Sequence, residues 1–460
     1  MRVNMTLTPA DLRKPVAKAF ELAAAKSANL DRSWDTTQGT PVFTVKGKYT
    51  TRGWTEWTQG FQYGIMLLAG EATGSEKLML AGRHRIYQNM APHLTHVGVH
   101  DHGFNNLSTY GTLLRLVTEG TLPDPAETEA EYCRLAIRLS GAVQASRWTA
   151  LPEGLGFIQS FNGPHSLFVD TMRSLRILVA SHCLGHVLMG ENDQRINLLE
   201  RALQHAVTTD RFIIFHGDSG HTYDVRGRTA HEGVFNRTDG RFRTRATQQG
   251  YSPFSTWTRG LAWAMLGYAE QLEILSKLPE ENFPVVAGLD RKGLLDLFKR
   301  AAIDTCDHWI DDVTASDGIP YWDDGAPQLH KLGDWRKRAA DPYNNFEPVD
   351  SSAAAIAAQG LLRLGKFMGP KRGERYHQAG LTVARTLFKE PYLSTAPRHQ
   401  GLLLHSVYHW PNHWDYVPRG KKVTNGESSL WGDYHLMELA LLLKRLDDNG
   451  PYPTFVSGMI

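Results

Sequence analysis

Three short stretches of the chain carry residue types that could move protons on a polar substrate. The first is His100-Asp101-His102-Gly103-Phe104, ahead of a helix opened by Asn105 and Asn106. A carboxylate at a helix N-terminus is stabilised as an anion by the dipole and the free N–H groups. Asp101 therefore reads either as an ionised catalytic carboxylate or as a plain N-cap. The His-x-His spacing is half a metal site, and nothing nearby completes it. The second stretch runs from Asn162-Gly163-Pro164 to Leu175. Pro164 predicts a helix start, which places Asp170 almost two turns in, among Leu167, Phe168, Val169, Met172 and Leu175. A charge in so apolar a helix needs a partner or a raised pKa. Arg147 or Arg173 could supply the partner; the functional reading is a general acid kept protonated by desolvation. The third stretch is Gln249-Gly250-Tyr251-Ser252 through Trp263. Arg259 and Trp263 are one turn apart and share a helix face. A Trp plane beside an Arg fork could stack on a sugar ring and grip its carboxylate, or form an ordinary Arg–Trp stack.

Further candidates are scattered. They are Trp54 and Trp57 before a helix, Pro320-Tyr321-Trp322-Asp323, Asp350-Ser351-Ser352-Ala353 and Leu404-His405-Ser406-Val407-Tyr408-His409. His405, His409 and His413 are spaced by four, which on a helix would make a metal stripe. Pro411 interrupts that stretch, so neither a metal nor any other cofactor is expected.

These residues must be positioned by helices. Amphipathic periodicity predicts them near 9–29, 56–72, 74–91, 104–119, 126–145, 165–189, 193–208, 256–277, 290–311, 350–366, 373–388 and 431–446. Strand alternation is confined mainly to 211–245. No fixed repeat marks a solenoid, and no Pro/Gly-rich linker separates independent cores. The expectation is one domain over 1–460 with a short tail from Asp447 onward. The loops are rich in Gly, Pro, Trp, His and Asp, as functional loops are.

Bulk composition narrows the partners. Net charge is +2, and no Lys/Arg run exceeds three residues. Nucleic acid and anionic membranes are not expected. No 18-residue apolar run spans a bilayer, and the N-terminus shows no secretory signal. Cys133, Cys183 and Cys306 are odd in number and widely spaced, which suits a cytoplasmic protein without disulfides. Twelve Trp and sixteen Tyr could fill a helical core or could stack on sugar rings.

Taken in order, His-Asp-x-Gly-Phe, the Asp-x-Met-x-x-Leu segment, Gln-Gly-Tyr-Ser…Ser-Thr-Trp-x-Arg-Gly-x-Ala-Trp, Pro-Tyr-Trp-Asp, Asp-Ser-Ser-Ala-Ala-Ala-Ile-Ala-Ala and Trp-Gly-Asp-Tyr resemble the unsaturated glucuronyl hydrolases, glycoside hydrolase family 88. The resemblance spans residues 50–445. It implies an all-α (α/α)6 barrel, with Asp170 as general acid/base and Asp101 as second essential aspartate. It places Trp57, His100, His221, Gln249, Trp257, Arg259 and Trp263 against substrate, with Tyr408 as a further contact. The implied substrate is an oligosaccharide ending in a 4,5-unsaturated uronic acid, and the implied assembly is a monomer or homodimer. Departures fall at Pro253-Phe254, Leu261, Val349 and the 421–429 stretch, and they bear on the neighbouring sugar and its sulphation. Rival expectations are an unsaturated rhamnogalacturonyl hydrolase, a sugar 2-epimerase using histidine pairs, and a sugar-binding barrel without catalysis.

Overall fold

Two kinds of helix alternate along the chain. One kind buries a single stripe: α1 (Arg13–Ser33) hides Val16, Ala19, Phe20, Ala23, Lys26, Ser27 and Leu30, the spacing of a helix with one buried face. The other kind is buried all round. Every residue of the central helix Thr258–Leu275 is buried. The computed structural model describes residues 1–53, 56–124, 126 and 128–460; Trp54 lies outside the described residues.

The mostly buried helices form an inner ring. They are α2 (Gln59–Thr73), α4 (His102–Asn106, continued by a π-helical turn Leu107–Gly111 into Thr112–Thr118), α6 (Thr171–Ser174, continued by Arg176–Cys183), α8 (Thr258–Leu275), α10 (Ser351–Arg372) and α12 (Leu430–Asp447). Each packs on the next, and α12 closes on α2. The one-sided helices α1, α3 (Glu76–Asn89), α5 (Thr128–Ser146), α7 (Leu198–Phe212), α9 (Arg291–His308) and α11 (Glu374–Leu387) lie outside this ring. The architecture is an (α/α)6 barrel, as the family resemblance implies, and its six inner and six outer helices match the count of twelve periodic stretches. Among the described residues, no helix is long and apolar enough to cross a membrane.

The inner helices bring their N-terminal ends to one mouth. Asp101, Asp170 and Trp257 stand at the N-cap positions of α4, α6 and α8, and the side chains of Asp350 and Ser429 cap α10 and α12. Loops and short antiparallel ribbons build the wall there. The largest is a three-stranded sheet, β1 (Ser166–Phe168), β2 (Glu232–Phe235) and β3 (Phe242–Ala246), in which Leu167 pairs with Gly233 and Val234 with Thr244. Two of its strands fall in the predicted 211–245 region. The first replaces the predicted start of helix 165–189. Ser166, Leu167 and Phe168 are all buried, and a short segment buried on both faces has no periodicity to separate strand from helix.

Candidate active site

Asp170 follows the sheet strand directly. The Val169 amide donates to His231 O at 3.0 Å, so β1 and β2 fix the backbone one residue before the carboxylate. Asp170 is therefore the N-cap position of α6 and not a mid-helix residue; its side chain makes no capping bond. Neither predicted arginine pairs with it. Arg147 donates to backbone carbonyls of Gln159 and Ser160, and Arg173 meets Glu270 and Glu438. The partner is His100, whose Nε2 lies 3.2 Å from Asp170 Oδ1 and 3.8 Å from Asp101 Oδ1.

One close approach holds His100 and Asp101 beside Asp170. A Cβ on Gly103 would stand 2.2 Å from Ser174 O, so only glycine lets α4 and α6 touch there. Ser174 Oγ accepts from the Gly103 amide at 3.0 Å and donates to His100 O at 2.7 Å. Arg176 Nε donates to Gly103 O at 2.8 Å.

The electrostatics shift the two carboxyls in directions opposite to those expected from the sequence. Burial pushes the Asp101 carboxyl up to about 6, against the pull of His100. Burial also acts upward on Asp170, but its hydrogen bond and charge contact with His100 outweigh it and hold the carboxyl below its ordinary value. His100 loses basicity to burial but gains more from the two aspartates, so its pKa is raised. Desolvation alone does not keep Asp170 protonated, because a cation sits against it. The Asp170–His100 pair still shares one transferable proton, and its ion-pair and neutral forms carry the same net charge.

Both carboxylates face a cavity of about 170 Å³ at the barrel mouth, lined also by Trp57, Phe104, Trp257, Trp263 and Tyr408. The Asp170 side chain is 14% exposed and that of Asp101 5%. Trp57 stacks on Trp431 with centroids 5.3 Å apart. Trp263 lies edge-on to His435. Tyr408 packs between Phe43 and Trp431, and burial pushes its hydroxyl up to about 12.

Arg259 also borders the cavity, but its fork is already engaged. Nη1 donates to Asp350 Oδ2 at 2.7 Å and to Val407 O; Nη2 donates to Gln249 Oε1 at 2.8 Å and to Tyr408 O at 2.6 Å. The guanidinium lies 4.7 Å from the Trp257 ring and 5.2 Å from Trp431. The expected free bidentate grip on a carboxylate is therefore corrected: four protein acceptors hold the fork. Gln249 spends its oxygen on Arg259 and keeps its amide N–H groups. His221 is a second correction. It is exposed, stacks on Tyr223 at 5.0 Å, and is not among the residues lining the cavity.

His231 carries no sequence signal. His231 is 2% exposed, and burial lowers its pKa to about 4, so it is neutral. Its Nδ1 accepts the amides of Gln248 and Gln249. The proton therefore sits on Nε2, which has no partner among the described residues. Phe161, Asn162, Phe168, His409, Asn412 and Trp414 complete the lining. His405 is buried with φ 68°, its Nδ1 accepting the Gly426 amide, and only His409 of the three spaced histidines reaches the cavity. Among the described residues no group of His, Cys, Asp and Glu is placed to hold a metal.

Known proteins share this fold. No family model matches the chain. The unsaturated glucuronyl hydrolase of Bacillus sp. (strain GL1) is 26% identical over 411 residues, 86% of this chain and 89% of that protein. Its crystal structure superposes with a TM-score of 0.67 at 22% identity, covering 94% and 97% of the two chains. The chain is similar to the unsaturated glucuronyl hydrolases. The unsaturated chondroitin disaccharide hydrolase of Streptococcus pyogenes serotype M1 is 24% identical over 453 residues, 96% of this chain and 93% of that protein. An unsaturated glucuronyl hydrolase variant from Streptococcus agalactiae, solved with dGlcA-GalNAc6S, has the same fold, with a TM-score of 0.63 at 20% identity over 99% and 95% of the chains.

Proposed function

We propose that this chain is a glycoside hydrolase that removes a 4,5-unsaturated uronic acid from the non-reducing end of lyase-made oligosaccharides. The observation that carries this reading is the pair of carboxylates, Asp101 and Asp170, bridged by His100 at the floor of an aromatic cavity. The C4=C5 bond of such a sugar is a vinyl ether with the ring oxygen. Asp170, the carboxyl more open to the cavity, gives its proton to C4. Positive charge then develops at C5 and the ring oxygen, where ionised Asp101 stabilises it. Water adds at C5 and its proton returns to Asp170. The resulting hemiketal opens and the anomeric oxygen leaves. In the free protein the shared proton sits on His100. Substrate expels water from the cavity and brings an anion, and both changes favour the uncharged Asp170–His100 form.

Trp57, Trp263 and Tyr408 supply apolar faces to the ring, while the Gln249 amide offers donors to the uronate. His231 acts one layer behind, holding the Gln248–Gln249 backbone against the Asp170 loop. A 2-epimerase would need facing histidines; the cavity lining carries two carboxylates and one histidine, His409. We read the chain as one catalytic domain, since one buried cluster includes residues from Leu7 to Val456. We place it in a reducing, cytoplasmic setting, in keeping with the free thiols of Cys133, Cys183 and Cys306.

The test is a panel of unsaturated disaccharides made by different lyases, each followed by loss of the double bond's ultraviolet absorbance. At least one should lose it on addition of the enzyme. Unchanged absorbance across the panel, or isomerisation of saturated sugars, would overturn the proposal.

A further inference from the structure

A second cluster of charge lies down the barrel from the cavity and takes no part in the reaction. Glu270 stands well beyond Arg259 on α8, and at about 1.5 Å per residue the helix carries it roughly 16 Å away. Glu270 Oε1 lies 3.1 Å from Arg173 Nε. Glu438 on α12 accepts from Arg173 Nη2 at 2.7 Å and lies 3.5 Å from Arg176 Nη1. Arg363 on α10 donates to Glu273 at 2.7 Å. The C-terminal tail covers the cluster: Arg363 Nη2 donates to Pro453 O at 3.1 Å.

A cavity of about 50 Å³ opens among Arg176, Glu270, Arg363, Glu438 and the tail residue Phe455. Arg176 and Arg363, 3% and 5% exposed, line it. Arg176 Nη2 and Arg363 Nε have no acceptor among the described residues. Buried guanidinium N–H groups do not stay unmatched, so something must accept them. Around the cavity Arg115, Arg173, Arg176, Arg363 and Arg445 face Glu71, Glu119, Glu270, Glu273 and Glu438, and these charges balance only if every carboxyl is ionised. Glu270 Oε1 receives no hydrogen bond among the described residues. Burial, with Glu438 and Glu273 close by, pushes the Glu270 carboxyl well above its ordinary range, against the pull of Arg173 and Arg363. With Glu270 uncharged, the cluster holds one cation too many.

We propose that this cavity binds a small halide anion, held by the unmatched N–H groups of Arg176 and Arg363. Water could accept the same hydrogen bonds but would leave the excess charge uncompensated in a poorly solvated place, where lone charge is costly. The space exceeds the ~10–15 Å³ that one water-sized body requires. A halide and an ionised Glu270 would repel each other, so the ion and the Glu270 proton enter together.

The probe is bromide. Melting temperature is measured in sodium bromide against sodium gluconate at matched ionic strength, and crystals grown in bromide are examined by anomalous diffraction at the bromine edge. The midpoint should rise and saturate with bromide, and one anomalous peak should lie within hydrogen-bond reach of Arg176 and Arg363. Glu270→Gln, which fixes the uncharged form, should keep the response, and Arg176→Gln should abolish it. A midpoint that follows ionic strength alone, or crystals of the unsubstituted protein without a peak at this cluster, would overturn the proposal. The crystal result decides even where a substituted protein fails to fold.

Discussion

Asp101 and Asp170 differ in what surrounds them, and each difference is measurable. Asp170 touches His100 and opens furthest into the cavity, so Asp170→Asn should cost at least about 10²-fold in kcat, the scale of lost general acid catalysis. KM should change little; activity retained within a few-fold would remove Asp170 from the acid role. Asp101 is expected to act as an anion although burial pushes its pKa up to about 6. Activity should therefore rise as pH passes through about 6, and the rise should vanish in Asp101→Asn. The same shift sets a stability effect of opposite sign. A carboxyl whose folded pKa is raised favours folding fully below its unfolded value, near 3.9, and that contribution is lost as pH rises through about 6. At pH 8 Asp101→Asn should thus be nearly inactive yet more stable, by at most about 3 kcal/mol for a shift of about two units. A melting curve at pH 8 unchanged or lowered by the substitution would show that the anion is not strained in the free protein.

At the scale of elements, Arg259 ties parts of the fold together. Its fork joins the start of α8 to the cap of α10 through Asp350, to the Gln249 loop and to the Val407–Tyr408 backbone. Lysine keeps the charge but offers three donors to four acceptors and has no plane to lie against Trp257 and Trp431. Arg259→Lys should lower stability by about 2 kcal/mol or more, since Asp350 is fully buried and would lose a charged partner. KM should shift by less than tenfold. An unchanged melting temperature with a large rise in KM would restore Arg259 to direct binding. The spacing of Arg259 and Trp263 made the shared face legible, but not the acceptors Asp350 and Val407, which are 91 and 148 positions away in the chain. His231 was illegible for the same reason: its role depends on amides it meets only after β2 pairs with β3. Asp101 and Asp170 were legible as motifs, whereas their protonation was not, because it depends on His100 standing between them.

Over the whole molecule, the helical pattern was legible because inner and outer helices differ in composition, one apolar all round and the other striped. The division of labour between the two ends of the ring was not. Chemistry gathers where inner helices begin, since capping residues and loops there leave side chains free to face a cavity. Structure gathers further down, where the tail closes over the buried ion pairs. Phe455 and Val456 are 9% and 2% exposed, Tyr452 donates its hydroxyl to Glu273 at 2.5 Å, and Pro453 O accepts from Arg363. Burying a Phe or Val side chain is worth about 1.5–3 kcal/mol each, and uncovering the Arg363–Glu273 pair adds to the loss. A protein ended at Asn449 should therefore melt several degrees lower, in step with a loss of several kcal/mol. Its kcat/KM, measured well below the new midpoint, should stay within about two-fold of the full chain, because the tail touches none of the described residues lining the cavity, and Glu270 lies about 10 Å along α8 from Trp263, which does line it. The two measurements separate the two ends: a preserved melting temperature with lost turnover would mean that the tail serves the site, and the closed end would then be part of catalysis.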